Sequence, residues 1–115
     1  MNNYTYRARV IKVVDGDTID CECDLPFYLK ATQRFRLLGI DAPEMRGESR
    51  EAGIRSKEYL KGLVEGKTCL LTSYKADSFG RWLADCMLTA ELSGIDISDL
   101  SQHLIQAGYA KKYER

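Results

Sequence analysis

The chain has 115 residues, 44% of them hydrophobic, and a formal net charge of zero. That length carries one domain with a single core and no need of disulfide staples, and the hydrophobic content excludes an intrinsically disordered chain. A neutral balance, with a pI near 6.6, argues against DNA binding through bulk charge but does not count against an enzyme that needs only local cations and a metal ion.

Residues 4–14, YTYRARVIKVV, alternate with a two-residue period and predict a strand. The phase slips at Val10-Ile11, which predicts a bulge or strong curvature. Asp15-Gly16 suits a tight hairpin turn, and residues 18–23 form the return strand with Ile19, Cys21 and Cys23 on one side. Residues 24–32 read as a long hairpin loop holding Pro26 and the apolar Phe27, Tyr28 and Leu29. Residues 33–40 are the third strand, with Phe35 and Leu37 on one face and Arg34, Arg36 and Leu38 on the other.

A short polar connection leads to a helix over residues 49–64, whose stripe is Ala52, Ser56, Leu60, Leu63 and Val64. Gly53 inside it costs about 1 kcal/mol relative to alanine, and Gly66 is the expected stop. Residues 67–74 form a fourth strand, 75–80 a turn, and 81–89 a fifth strand in which Trp82 packs in or against the core. Residues 91–95 are a turn, and Asp96 caps a second helix through residue 107. The tail YAKKYER is basic and aromatic. Strand, strand, strand, helix, strand, strand, helix is the order of a five-stranded OB-type Greek-key barrel, a mainly β fold with α elements. Residues 1–115 are expected to form one such domain.

The stretch RLLGIDAPE, residues 36–44, organises the chemistry. Its short apolar run reads as a mostly buried strand, and Pro43 ends it because proline has no N–H to give. A rigid element therefore holds Arg36 at one end and Asp41 and Glu44 at its exit. A planar guanidinium suits a phosphate, and hard carboxylates suit a divalent cation. The residue types point to a metal-dependent phosphodiesterase acting on nucleic acid.

Four segments, VVDGDTI at 13–19, FRLLGIDAPE at 35–44, DSFGRWLADCML at 77–88 and LIQAGYAKKY at 104–113, resemble the staphylococcal-nuclease-like (thermonuclease) family in its own order. The resemblance implies an OB-barrel nuclease that uses calcium, cleaves DNA and RNA with little sequence preference, and leaves 3′-phosphates. By position, Asp17 and Asp41 resemble the calcium carboxylates, and the Ala42 backbone carbonyl a further ligand. Arg36 and Arg81 resemble the arginines that hold the reacting phosphate, and Glu44 the general base. Phe79 and Tyr113 stand near family substrate-binding positions. Ser78-Phe79 replaces a lysine and a tyrosine of the best-known members, so Phe79 keeps a stacking ring and lacks the hydroxyl. The 24–32 loop is longer than the family's, the link from Glu44 to the helix is shorter, and no counterpart of the C-terminal helix of longer members is expected.

Other residues have plainer readings. Asp15 is a turn residue. The four cysteines, Cys21, Cys23, Cys69 and Cys86, form no C-x-x-C pair and read as small buried hydrophobes, a disulfide or metal role being the alternative. His103 is structural. Arg46, Arg50, Arg55, Lys57 and Lys61 form a solvated face, as do Lys111, Lys112 and Arg115 unless they touch backbone phosphates. No signal peptide or membrane segment is visible, so an intracellular monomer with a nucleic-acid partner is expected. The rival to the nuclease is an OB-fold module of the same family that has lost catalysis and only binds nucleic acid or protein. Degenerate chains of that kind lose the carboxylates or arginines, whereas Asp17, Arg36, Asp41, Glu44 and Arg81 are all present here.

Overall fold

The computed structural model describes residues 4–74 and 81–113. Strands β1 (Tyr4–Asp15), β2 (Thr18–Asp24) and β3 (Lys30–Leu37) run as an antiparallel meander. A two-residue strand β4 (Ile40–Asp41) follows, then helix α1 (Arg50–Val64), β5 (Thr68–Tyr74) and β6 (Trp82–Met87). The chain continues through α2 (Ala90–Ser93) and α3 (Leu100–Gln106) to β7 (Lys111–Lys112). Five strands close a barrel in the order β1-β2-β3-β6-β5, with β5 pairing back onto β1 and β3 running parallel to β6. This is the five-stranded OB topology expected from the element order.

The slip at Val10-Ile11 is a true register shift. Between Val10 and Lys12 the pairing of β1 with β2 moves by one residue, and a second shift follows between Val13 and Asp15. The first half of β1 pairs with β5, from Tyr4↔Ser73 to Arg9↔Thr68. Beyond it, Gly66 N–H donates to the Val10 carbonyl at 2.7 Å and Val10 N–H to the Lys67 carbonyl at 2.9 Å. Such shifts sharpen the local bend that closing a small barrel demands.

Inward residues of all five strands fill the interior, among them Val10, Ile19, Phe35, Leu37, Leu71 and Ala84. Leu60 and Val64 of α1 and Leu100 and Leu104 of α3 join this core, each with no exposed surface. Burying such a side chain contributes about 1.5–3 kcal/mol. All four cysteines are buried and free.

Several expected boundaries move. The third strand begins at Lys30, not at residue 33, and ends at Leu37. Gly39, at φ 81°, turns the chain before Ile40. The preceding loop is correspondingly shorter, with a single 3₁₀ turn at Pro26–Tyr28. The second large helix starts at Leu100, capped by Asp99, whose carboxylate accepts the Gln102 N–H at 3.2 Å. Asp96 instead accepts the Ala90 N–H at 2.7 Å, and Ile97 bridges to Leu88 as extended chain. The expected turn at 91–95 contains α2, capped by Thr89. Trp82 is 42% exposed, which is the half-buried placement against the core and not one within it. The turn expected over 75–80 lies outside the described residues, and no helix among those described is long and apolar enough to cross a membrane.

Candidate active site

The parallel pairing of β3 with β6 builds the site's cationic wall. Arg36 sits opposite Leu83, with inward Phe35 opposite Trp82 and Leu37 opposite Ala84. Side chains alternate along a strand, so Arg34 and Arg36 leave β3 on its outer face. Arg81, two residues before Leu83, joins them from the position that leads into β6. Arg34, Arg36 and Arg81 line one cleft of about 490 Å³ together with Asp15, Asp17, Asp41, Ala42, Glu44 and Arg46.

The acidic wall comes from two turns locked to each other. Asp17 is 6% exposed. Its Oδ1 accepts the Thr18 hydroxyl at 2.9 Å and its Oδ2 accepts the Ala42 N–H at 3.0 Å, joining the β1–β2 turn to the segment after β4. Gly16 makes this approach possible, since a Cβ there would lie 2.7 Å from Ser56 Cβ and 2.9 Å from Ala42 Cβ. Asp41 is half-exposed and is held by the pairing of β4 with β7, where it faces Lys111.

Arg36 joins the two walls. Its Nη2 donates to the Ile40 carbonyl at 3.0 Å and to Asp41 Oδ1 at 3.1 Å, and lies 3.7 Å from Asp17 Oδ2. A guanidinium carries five N–H donors in a rigid fork, and the bonds of Arg36 seen among the described residues run through Nη2. The Tyr113 ring stands 5.4 Å from the Arg36 guanidinium carbon, within cation–π range, and its N–H donates to the Gly39 carbonyl. Tyr113, Arg36, Arg81 and Leu83 line an adjoining hollow of about 320 Å³.

Glu44 projects from the cleft rim, its side chain 71% exposed, with Arg46 Nε 3.4 Å from Oε2. Its backbone is tightly seated. Ser49 Oγ lies 2.9 Å from the Glu44 carbonyl oxygen. A Cβ on Gly53 would come within 2.4 Å of that same oxygen. Gly53 is thus the contact that lets the Glu44 segment lie on α1, a role the sequence reading weighed only as a cost to the helix.

The donor set fits calcium. Asp17, Asp41 and the Ala42 carbonyl offer hard oxygens alone, as that ion prefers. Among the described residues no group of three or more histidines, cysteines or acidic residues is placed to hold a metal. A cation here would therefore rest on two carboxylates and a carbonyl, with water and substrate oxygens completing its shell.

The structure brings Asp17, Arg36, Asp41, Ala42, Glu44 and Arg81 together, with Tyr113 adjacent, while Phe79 and Arg115 lie outside the described residues. Sequence reasoning missed Asp15, Arg34 and Arg46 as cleft-lining groups. The two-residue step from Arg34 to Arg36 was the available signal for one of them. Burial, and then the neighbouring Asp17 charge, raise the Asp15 carboxyl above its ordinary value. His103 does not line the cleft: its Nε2 is 2.8 Å from the Tyr59 hydroxyl.

A closed five-stranded barrel whose outer face sets arginines against carboxylates defines an OB-type domain with a cleft of mixed charge. Residues 34–115 match the family model described as Staphylococcal nuclease homologue, and the chain belongs to that family. A protein of Escherichia coli O157:H7 named "Uncharacterized endonuclease" is 34% identical over 108 residues, covering 94% of this chain and 61% of its own length. Protein ParB of Escherichia coli is 36% identical over 87 residues, 76% of this chain and 45% of its own. A "Micrococcal nuclease" of Shigella flexneri is 28% identical over 110 residues, 94% of this chain and 59% of its own. The chain thus spans less than two thirds of the length of these relatives.

Proposed function

We propose that this chain is a calcium-dependent nuclease that hydrolyses phosphodiester bonds of DNA or RNA with little sequence preference, leaving 3′-phosphates, and that it acts as a monomer. Membership of the nuclease family and the naming of its relatives support the reaction class. The observation that carries the reading is Arg36, whose Nη2 lies against both carboxylates while the residue lines the cleft together with Arg81 and Glu44.

Hydrolysis builds negative charge on the non-bridging phosphate oxygens. Arg36 and Arg81 approach from the outer face of β3 and β6 and meet that charge with planar donor forks. Asp17, Asp41 and the Ala42 carbonyl would hold calcium, which supplies charge stabilisation and makes a bound water more acidic. Glu44, exposed on the rim, orients the attacking water and accepts its proton. Tyr113 packs beside Arg36 and steadies a nucleoside against the cleft.

The test is cleavage of single-stranded and plasmid DNA with calcium, with EDTA, and by the Glu44→Gln and Arg81→Ala proteins. Calcium-dependent cutting that falls by about 10²–10³ for Arg81→Ala supports the reading. A folded wild-type chain that binds DNA and never cuts it would leave the binding module in its place.

A further inference from the structure

A second hollow, of about 450 Å³, opens on the other side of the Asp41-Ala42-Pro43-Glu44 segment, and Tyr109 and Lys111 also line it. It shares that segment with the candidate cleft, so a strand whose phosphate lies at Arg36 and Arg81 can continue into it without a break.

The hollow contains a prepared ring. Tyr109 stacks on Tyr59 with centroids 4.1 Å apart and planes 11° from parallel, and Tyr59 is itself held by His103. Ser56, 2% exposed, donates its hydroxyl to the Tyr109 carbonyl at 2.6 Å and fixes the backbone. One face of the Tyr109 ring is covered by Tyr59, and the residue, half-buried, lines the hollow. A ring fixed in this way stacks a base at little ordering cost, and every base offers a π face. Lys111, beside it on β7, supplies a cation for a backbone phosphate.

The geometry points to a base-binding subsite: the Tyr109 ring stacks the base of the nucleotide on the Glu44 side of the scissile phosphate, and Lys111 pairs with that nucleotide's outer phosphate. The subsite rests on the nuclease reading for its substrate, and it lies across the 41–44 segment from the hollow that Tyr113 lines.

The experiment is calorimetric binding, in EDTA so that nothing is cut, of a thymidine dinucleotide and of its two versions lacking one or the other base. The proteins are wild type, Tyr109→Leu and Tyr109→Phe. Stacking of this kind predicts that Tyr109→Leu weakens the intact dinucleotide about tenfold, that Tyr109→Phe binds as wild type, and that the loss disappears for one of the two abasic versions. In a longer 5′-phosphorylated oligonucleotide, Lys111→Gln lowers the salt dependence of binding. Equal losses for all three ligands, no loss for any, or no binding of any by wild type overturns the subsite. Cutting of plasmid DNA with calcium is scored separately. Ring-dependent binding without cutting removes the nuclease reading alone, and cutting without dependence on Tyr109 removes the subsite alone.

Discussion

Arg36 Nη2 lies 3.1 Å from Asp41 Oδ1 and 3.7 Å from Asp17 Oδ2, so one guanidinium neutralises the same two carboxylates that would take a cation. Calcium and Arg36 both answer that negative charge. Removing the arginine leaves the two acids repelling each other with nothing between them. Arg36→Ala is expected to lose about 1.5–3 kcal/mol of stability without calcium, the range for hydrogen bonds to charged groups. Calcium should restore more stability to this variant than it adds to wild type. Thermal melting with and without the ion measures both effects, and equal calcium shifts would show that Arg36 does not share the acids with a metal.

Calcium binding should stabilise the wild-type chain by mass action, by about 2.7 kcal/mol at a hundredfold excess over Kd, and so raise its melting temperature. Asp17→Asn keeps the shape of the side chain and an acceptor for Ala42 N–H while removing the charge. It should abolish the calcium shift while leaving the metal-free melt within about 2 kcal/mol of wild type. A full calcium shift in Asp17→Asn would remove this residue from the ligand set.

Two glycines of α1 should respond oppositely to alanine. At Gly53 the new Cβ would lie 2.4 Å from the Glu44 carbonyl oxygen, which is backbone and cannot rotate away. Gly53→Ala should cost about 1–3 kcal/mol as an overpacked contact and should lower activity by displacing Glu44. At Gly62 a Cβ meets nothing within 4 Å, and Gly62→Ala should stabilise by about 0.4–1 kcal/mol. Chemical denaturation of the two variants gives the comparison. A neutral Gly53→Ala would show that the Glu44 segment does not depend on this contact.

Burial pushes the Cys23 thiol up to about 11. The unfolded chain therefore loses this proton first as pH rises. The stability linked to Cys23 is complete below pH 9 and is lost as pH climbs toward 11. Tyr74, whose hydroxyl donates to Asp85 at 2.7 Å, is raised in the same sense, so Cys23→Ala is the proper reference. Wild type should lose denaturation midpoint faster than Cys23→Ala between pH 9 and 11. Parallel pH curves would contradict a raised thiol.

The sequence reading succeeded where one face of an element is buried and punctuation is strong. β1, β2 and β5 each have an inward row, and α1 lies between Ser49 and Gly66. It failed at the start of β3, where Lys30, Ala31, Thr32 and Gln33 are all exposed and no alternation marks the strand. It chose the wrong cap for α3 because Asp96 and Asp99 are equally good capping residues, and only the bridge from Ile97 to Leu88 decides between them. The site was legible as residue types in three segments. Their convergence depends on the parallel register of β3 with β6 and on Gly16 and Gly53, whose closeness to distant atoms leaves no local trace.

That parallel register also sets when the site can exist during folding. The meander of β1, β2 and β3 joins neighbours in the chain, and with it Asp17 can already approach the 41–44 segment. Arg81 reaches Arg36 only after the chain has passed through α1 and β5 and laid β6 beside β3. Closing so long a loop is entropically slow and comes late. Asp41 is fastened in turn by β7 and the Glu44 segment by α1, so the carboxylate side and the arginine side are both completed only as the later elements dock. On the proposed roles, a chain whose barrel has not closed lacks Arg81 beside Arg36, and completion of the fold is what arms it.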